Sequence, residues 1–176
     1  MIITEERIRD IVSQMPKIRV NDDVSSIPNF HWGDRSELVK YLELKKDAAY
    51  PLIWLLPSVD NHVNNGFLCN KECMFIVATR ETRKDLMNNE RFDISYRVVL
   101  NPVLDYLLQG LDGSTISRLI SSDWSVERLP DFTESYYKND NDNYTIDLWD
   151  AIKFTCDVEF NNHCLKEILW QVKSIS

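Results

Sequence analysis

Glycine is scarce in this chain. The 176 residues hold four, at positions 33, 66, 110 and 113, and they never group as G-x-G-x-x-G or stand before Lys-Ser or Lys-Thr. Loops that cradle nucleotide phosphates with successive backbone N–H groups are therefore excluded. Histidine is scarcer still. His31, His62 and His163 are the only imidazoles, and no G-x-S-x-G turn presents a nucleophile to any of them. These gaps argue against a catalyst. Long apolar runs are missing too: the longest, Leu52 to Leu56, is far too short to span a bilayer, and the opening MIITEERIRD lacks the basic and then apolar build of a signal peptide. The expectation is a soluble protein made in the cytoplasm, with no membrane partner and its four cysteines as thiols. Positive charge is in deficit, with 20 Lys and Arg against 28 Asp and Glu for a formal charge of -8. The densest basic groups, Lys45-Lys46 and Arg80, Arg83 and Lys84, are each flanked by acids. Such a field repels nucleic acid phosphates.

What the chain does have is a sizeable apolar fraction, 44%, and many aromatics: five Trp, seven Tyr and seven Phe. That suffices for one core, and the expected layout is a single domain over 1–176, with an N-terminal helical region at 1–48, a sheet-and-helix core at 50–160 and a tail at 161–176. Glu5 and Glu6 open a first helix on the stripe Ile8, Ile11, Val12 and Met15. Lys17 to Gly33 reads as loop and carries the apolar patch Phe30, His31 and Trp32. Asp34 and Glu37 stand at capping-box spacing and start a second helix on Leu38, Tyr41 and Leu42.

Strands follow. Tyr50 to Leu56 is apolar on both faces and bracketed by prolines, which predicts a strand covered on both sides. Asn64-Asn65-Gly66 marks the turn of a long hairpin to Cys73–Thr79. From Phe92 the apolar residues alternate, Phe92, Ile94, Tyr96, Val98 and Leu100, predicting a third strand; from Val103 the stripe Val103, Leu104, Leu107, Leu108 and Leu111 is helical, with Asn101-Pro102 as its opening. Ser114 to Ser122 adds a helical turn or two. Trp124 to Phe132 is an edge strand with Pro130 near its end. Tyr136 to Asp147 is a long polar loop, and Ala151 to Phe160 alternates cleanly, with Ile152, Phe154, Cys156, Val158 and Phe160 inward and Lys153, Thr155, Asp157 and Glu159 outward. Leu165, Ile168, Leu169 and Val172 form an amphipathic tail. The fold class is α/β of the α+β type: a mixed, mostly antiparallel sheet of about five strands with helices packed against it.

Two metal readings fail on spacing. Cys69 and Cys73 are C-x3-C, and Cys156, His163 and Cys164 lie close together, but no paired knuckle recurs and two of these cysteines sit in apolar strands. Asp140, Asp142 and Asp147 lack the glycine and glutamate that a calcium loop needs. No cofactor is expected.

The order of elements from Asp34 to Phe160, with Tyr50-Pro51 before an apolar strand and Arg91 to Leu108 running through Val99-Leu100-Asn101-Pro102 into a helix, resembles the tail-completion and tail-terminator proteins of tailed bacteriophages. The resemblance implies a non-enzymatic virion protein of the neck or tail end, made in the host cytoplasm. It would assemble with itself as a ring, usually of six or twelve copies, beside neighbouring neck or tail proteins. Genomic DNA would pass through the bore without specific binding. The residues such a ring would use are those the core does not need: Phe30, His31 and Trp32; His62 and Asn64; Tyr136, Tyr137, Lys138, Asp140, Asp142 and Tyr144; and Lys153, Asp157 and Glu159 on the outward face of the last strand. A different class suits the same composition, a small acidic binding module such as an immunity protein or antitoxin that neutralises a basic enzyme. A metal-dependent enzyme is a third and weaker reading.

Overall fold

The computed structural model describes residues 3–20, 24–63, 67–83, 85–120, 124–132, 135–139, 142–145 and 149–171. In chain order the elements are α1 (Thr4–Ser13), the short strands β1 (Ile18–Arg19) and β2 (Ser25–Ser26), β3 (Asn29–Trp32), α2 (Arg35–Lys45), β4 (Leu52–Leu55), β5 (Asp60–Val63) and β6 (Phe67–Arg80). There follow α3 (Asn88–Arg91), a π-helical segment (Phe92–Leu100), α4 (Asn101–Gly113), β7 (Ser117–Leu119), β8 (Ser125–Phe132), β9 (Ser135–Asn139), β10 (Asp142–Thr145) and β11 (Trp149–Phe160).

The α+β class and the mixed, mostly antiparallel sheet are as the sequence predicts. The main sheet has seven strands, with β3, β4, β6 and β11 in that order; β5 pairs with β6, and β7 and β8 divide the far side of β11 between them. Only β3 and β4 run parallel among these pairs. β11 is the axis. It pairs with β6 from Trp149 opposite Arg80 to Phe160 opposite Leu68, with β8 over its first half and with β7 over its last three residues. One irregularity interrupts the β6–β11 ladder: two residues of β6, Lys71 and Glu72, face Asp157 alone. Glu72 takes a left-handed φ of 56°, and its N–H is satisfied by the Asp157 carboxylate at 2.8 Å. The aspartate thus compensates the ladder bond that a bulge loses.

Because side chains alternate along β11, its two faces build two cores. Ile152, Phe154, Cys156, Val158 and Phe160 meet α1 and the long helix, together with Ile53, Phe75 and Val77. On the other face Trp149 and Ala151 meet Leu38 and Leu42 of α2, Tyr50, Trp54 and Ile76. α2 covers only that end of the face. Its start is as predicted on one side of the capping box, with Asp34 accepting from the Glu37 N–H at 2.9 Å. Gly33, at φ 127°, turns the chain from β3 into this cap, and its carbonyl accepts the Trp54 indole N–H at 3.0 Å. A side chain would be strained there.

One expectation is overturned. Phe92–Leu100 is not a strand but part of a helical run from Asn88 to Gly113. Phe92 and Ile94 are exposed, while Ser95, Tyr96, Val99, Leu100, Val103, Leu104, Leu107 and Leu111 make an unbroken buried stripe at helical spacing. The alternation of Phe92, Ile94, Tyr96, Val98 and Leu100 overlaps that stripe at two positions, and continuity with Val103 wins. Pro102 then lies inside a helix. It has no N–H to give and its ring crowds the preceding turn; the π register just before it widens that turn, as π segments do where a helix must absorb an irregularity. Two smaller corrections concern segments read as loop or turn. Part of Lys17–Gly33 is β1, β2 and β3, and Ser117–Leu119 is a strand rather than a helical turn; the tail, as far as Gln171, joins no helix or strand. Among the described residues no helix is long and apolar enough to cross a membrane.

Candidate interaction surfaces

The aromatic patch lies at one edge of the main sheet. β3 pairs with β4 through Phe30 opposite Ile53 and Trp32 opposite Leu55, and on its other side no strand of this sheet pairs with it among the described residues. Phe30 and Trp32 stack at 5.8 Å, with Trp32 38% exposed and Phe30 resting on the core. His31, between them in sequence, stacks on Tyr41 of α2 with ring centroids 4.2 Å apart. Its Nε2 is buried, makes no hydrogen bond, and stands 4.0 Å from the Glu37 carboxylate. Burial lowers the His31 pKa below 6.5 against the opposing pull of Glu37, and burial raises that of Tyr41.

The sign of the resulting pH dependence is fixed. As pH falls through 6.5 the unfolded chain takes up a proton that the folded chain still refuses, so the stability held by neutral His31 is complete above about 6.5 and is lost as pH falls through the lower folded value. His31→Phe keeps the stack on Tyr41 and is expected to flatten that part of the stability profile. An NMR titration of the His31 ring with a midpoint above 6.5 would contradict the assignment.

The outward set on β11 stands where the sequence puts it. Lys153, Thr155, Asp157 and Glu159 are half-buried on the part of the sheet face that α2 leaves open. Two of them make ion pairs across the strands, Glu159 with Arg118 of β7 at 2.9 Å and Lys153 with Glu127 of β8 at 3.7 Å, while Asp157 is committed to the bulge. Surface pairs of this kind contribute roughly 0–1 kcal/mol each.

The segment expected as a loop at 136–147 is, where described, a hairpin. Tyr136, Tyr137 and Lys138 lie in β9, Asp142 and Tyr144 in β10, and Tyr144 is directly opposite Tyr136. This ladder is separate from the main sheet, and β9 approaches α2. β9 and the β3 patch therefore both approach the same helix, a juxtaposition the sequence does not disclose. His62 is in β5, paired with Leu68 at the other end of β6. Asn64 and Asp140 lie outside the described residues.

Sequence reasoning missed a buried polar cluster. Arg91 and Asp150 are both fully buried and joined at 2.8 Å, and Ser95 donates to the second Asp150 oxygen at 2.6 Å. The rest of the Arg91 guanidinium donates to the carbonyls of Leu86 and Arg83, each at 3.2 Å, so one side chain ties the 81–87 connection to the central strand. Beside it Glu81 is buried; burial works against its charged form, but hydrogen bonds from the Arg83 side chain and backbone, with the charges of Arg83 and Arg91, hold its carboxyl below the usual value. The signal was available: Arg91 and Ser95 are four apart, on the stripe that continues to Val99 and Val103. Every polar atom named here has its partner within the cluster or on the backbone, which is the arrangement of a structural anchor.

Cys73 and Cys156 are opposite one another in the ladder and buried, and burial, with Asp157 nearby, pushes the Cys156 thiol up to about 12. Cys69 is half-buried and Cys164 exposed. Among the described residues no three His, Cys, Asp or Glu side chains gather at metal-binding distance. No protein-family model matches the chain, and no curated protein matches its sequence.

Proposed function

We propose that the chain is a non-enzymatic structural protein that closes head to tail into a ring at the neck or tail end of a phage virion. The observation that carries the reading is the pair of unlike edges on one sheet. β3, at one end, offers the stacked Phe30 and Trp32; β8, at the other, begins beside Trp124, which is 45% exposed, and carries Glu127, Arg128 and Pro130. A cyclic assembly built on heterologous contacts needs two different surfaces facing different ways, and an isologous dimer needs only one. The charged residues and proline of β8 also restrain indiscriminate pairing at that edge. The hairpin of β9 and β10 and the open face of β11 add surface for the rings above and below, and a net charge of -8 keeps DNA phosphates from adhering in a bore.

Native mass spectrometry and negative-stain electron microscopy of the purified chain at tens of micromolar test this. The expected result is a closed ring. A stable monomer that instead captures a basic enzyme one to one would replace the ring by the acidic binding module.

A further inference from the structure

Beyond Phe160 the chain leaves the sheet and crosses α1 and α4 as an extended strap that joins no strand or helix up to Gln171. Side chains hold its main chain as they would hold a bound peptide. The Thr115 hydroxyl donates to the Cys164 carbonyl at 2.9 Å and accepts the Lys166 N–H at 3.1 Å. The Gln14 amide oxygen accepts the Ile168 N–H at 3.1 Å, and the Gln109 amide both accepts the Gln171 N–H at 2.8 Å and donates to its carbonyl at 3.4 Å.

Between these grips the strap sets down apolar anchors. Ile168 is buried, Leu165 and Trp170 rest on the core, and Leu169 faces away at 91% exposure. Trp170 meets Tyr106 edge-on at 5.7 Å and lies over Gly110, where a Cβ would stand 3.2 Å from its ring and 2.3 Å from Ile11 Cγ2. Glycine is what lets α1, α4 and the indole come together. Main-chain bonds for affinity, with pockets for selected side chains, is the logic by which proteins bind extended peptides.

We infer that the surface of α1 and α4 is a recognition groove for the extended segment Cys164–Gln171, and that the segment of a second copy fills it when copies associate. What argues for this occupant is the segment now seated there, joined to β11 through Asn162, His163 and Cys164, all exposed. Exchange remakes every groove contact in identical form and alters only that hinge, which makes it a low-cost route to association. The choice of a second copy rests on the ring reading; the groove's selectivity for the segment does not.

Deleting Asn162 and His163 from the full-length chain removes roughly 7 Å of reach, so a strap can enter the groove of another copy but not its own. Light scattering after size exclusion, at concentrations too low for the unaltered chain to assemble, is expected to show at least a doubled mass. Adding Ile168→Ala and Trp170→Ala should return the monomer. A monomeric deletion variant, or association indifferent to the two anchors, overturns the inference. Because the deletion could impair folding, a second measurement keeps the unaltered length. Gly113→Cys places a thiol in open space two residues before Thr115, whose hydroxyl bonds the carbonyl of the exposed native Cys164. Isotopically heavy and light populations of this variant, mixed at assembling concentration and treated with a bis-maleimide, should give heavy–light links between positions 113 and 164. Links of like isotope only would overturn exchange. Exchange in a protein that never closes into rings would leave the groove standing and remove the ring.

Discussion

Arg91→Met should lower the free energy of unfolding by about 3–5 kcal/mol, the usual consequence of leaving one member of a buried ion pair without the other. Asp150 would keep only the Ser95 hydroxyl, and the carbonyls of Leu86 and Arg83 would lose their donor. The companion experiment distinguishes the pair's net worth from the penalty of breaking it. Arg91→Met combined with Asp150→Leu removes both charges from a site that already excludes water, and much of the lost stability should return. Guanidinium unfolding of the two single variants and the double variant measures this. A single-variant loss under about 1 kcal/mol would mean that water reaches the cluster and that it is not the anchor described.

Phe154→Ala is the second large effect, about 3–5 kcal/mol. Phe154 is fully buried at the middle of the central strand, stacked on its cross-strand partner Phe75 at 5.9 Å and capped edge-on by Trp124 at the same separation. Its neighbours are held by ladders on both sides of β11, which limits how far they can close over the space. Trp124→Ala, by contrast, removes a half-exposed ring, and the aromatic pairing it forfeits is worth about 0.5–1.5 kcal/mol. Equal losses for the two would show that the site collapses freely, and the central strand would not be the rigid element its pairing indicates.

The contrast between β11 and the π-helical segment shows where a sequence is readable. On β11 polar and apolar residues alternate from Ile152 to Phe160 with no competing period, and both the strand and its outward side chains stand as expected. Phe92–Leu100 satisfies two periods at once. Local pattern favours the strand, whereas the resolving fact is tertiary: Arg91 and Ser95 both bond Asp150, and a helix sets residues four apart about 6 Å along its axis where a strand would hold them about 13 Å apart. The Asp34 cap was legible because it lies within four residues. The stack of His31 on Tyr41, ten positions on, was not, since it depends on β3 docking beside α2. The β9–β10 hairpin escaped for a different reason: its sequence is polar throughout and offers no apolar alternation to read. The aromatic patch, the hairpin residues and the β11 face could each be nominated singly from composition, but the approach of both β3 and β9 to α2 comes from the fold.

The position of β11 also governs how the protein is made. The strand that joins β6 to β7 and β8 is the last of the sheet to be synthesised, so its partners must wait for pairings as distant as Leu68 with Phe160. Until then the 14 residues of β6 have an open edge along one side, rich in Phe, Ile and Val and suited to the same strand in a neighbouring nascent chain. At translation rates of about 5–20 residues per second this exposure lasts for seconds. The helices can form early without ending it. Release from the hazard of misassembly is therefore timed by the arrival of Trp149–Phe160, and codons or pauses that slow that stretch would cost yield without altering the finished protein.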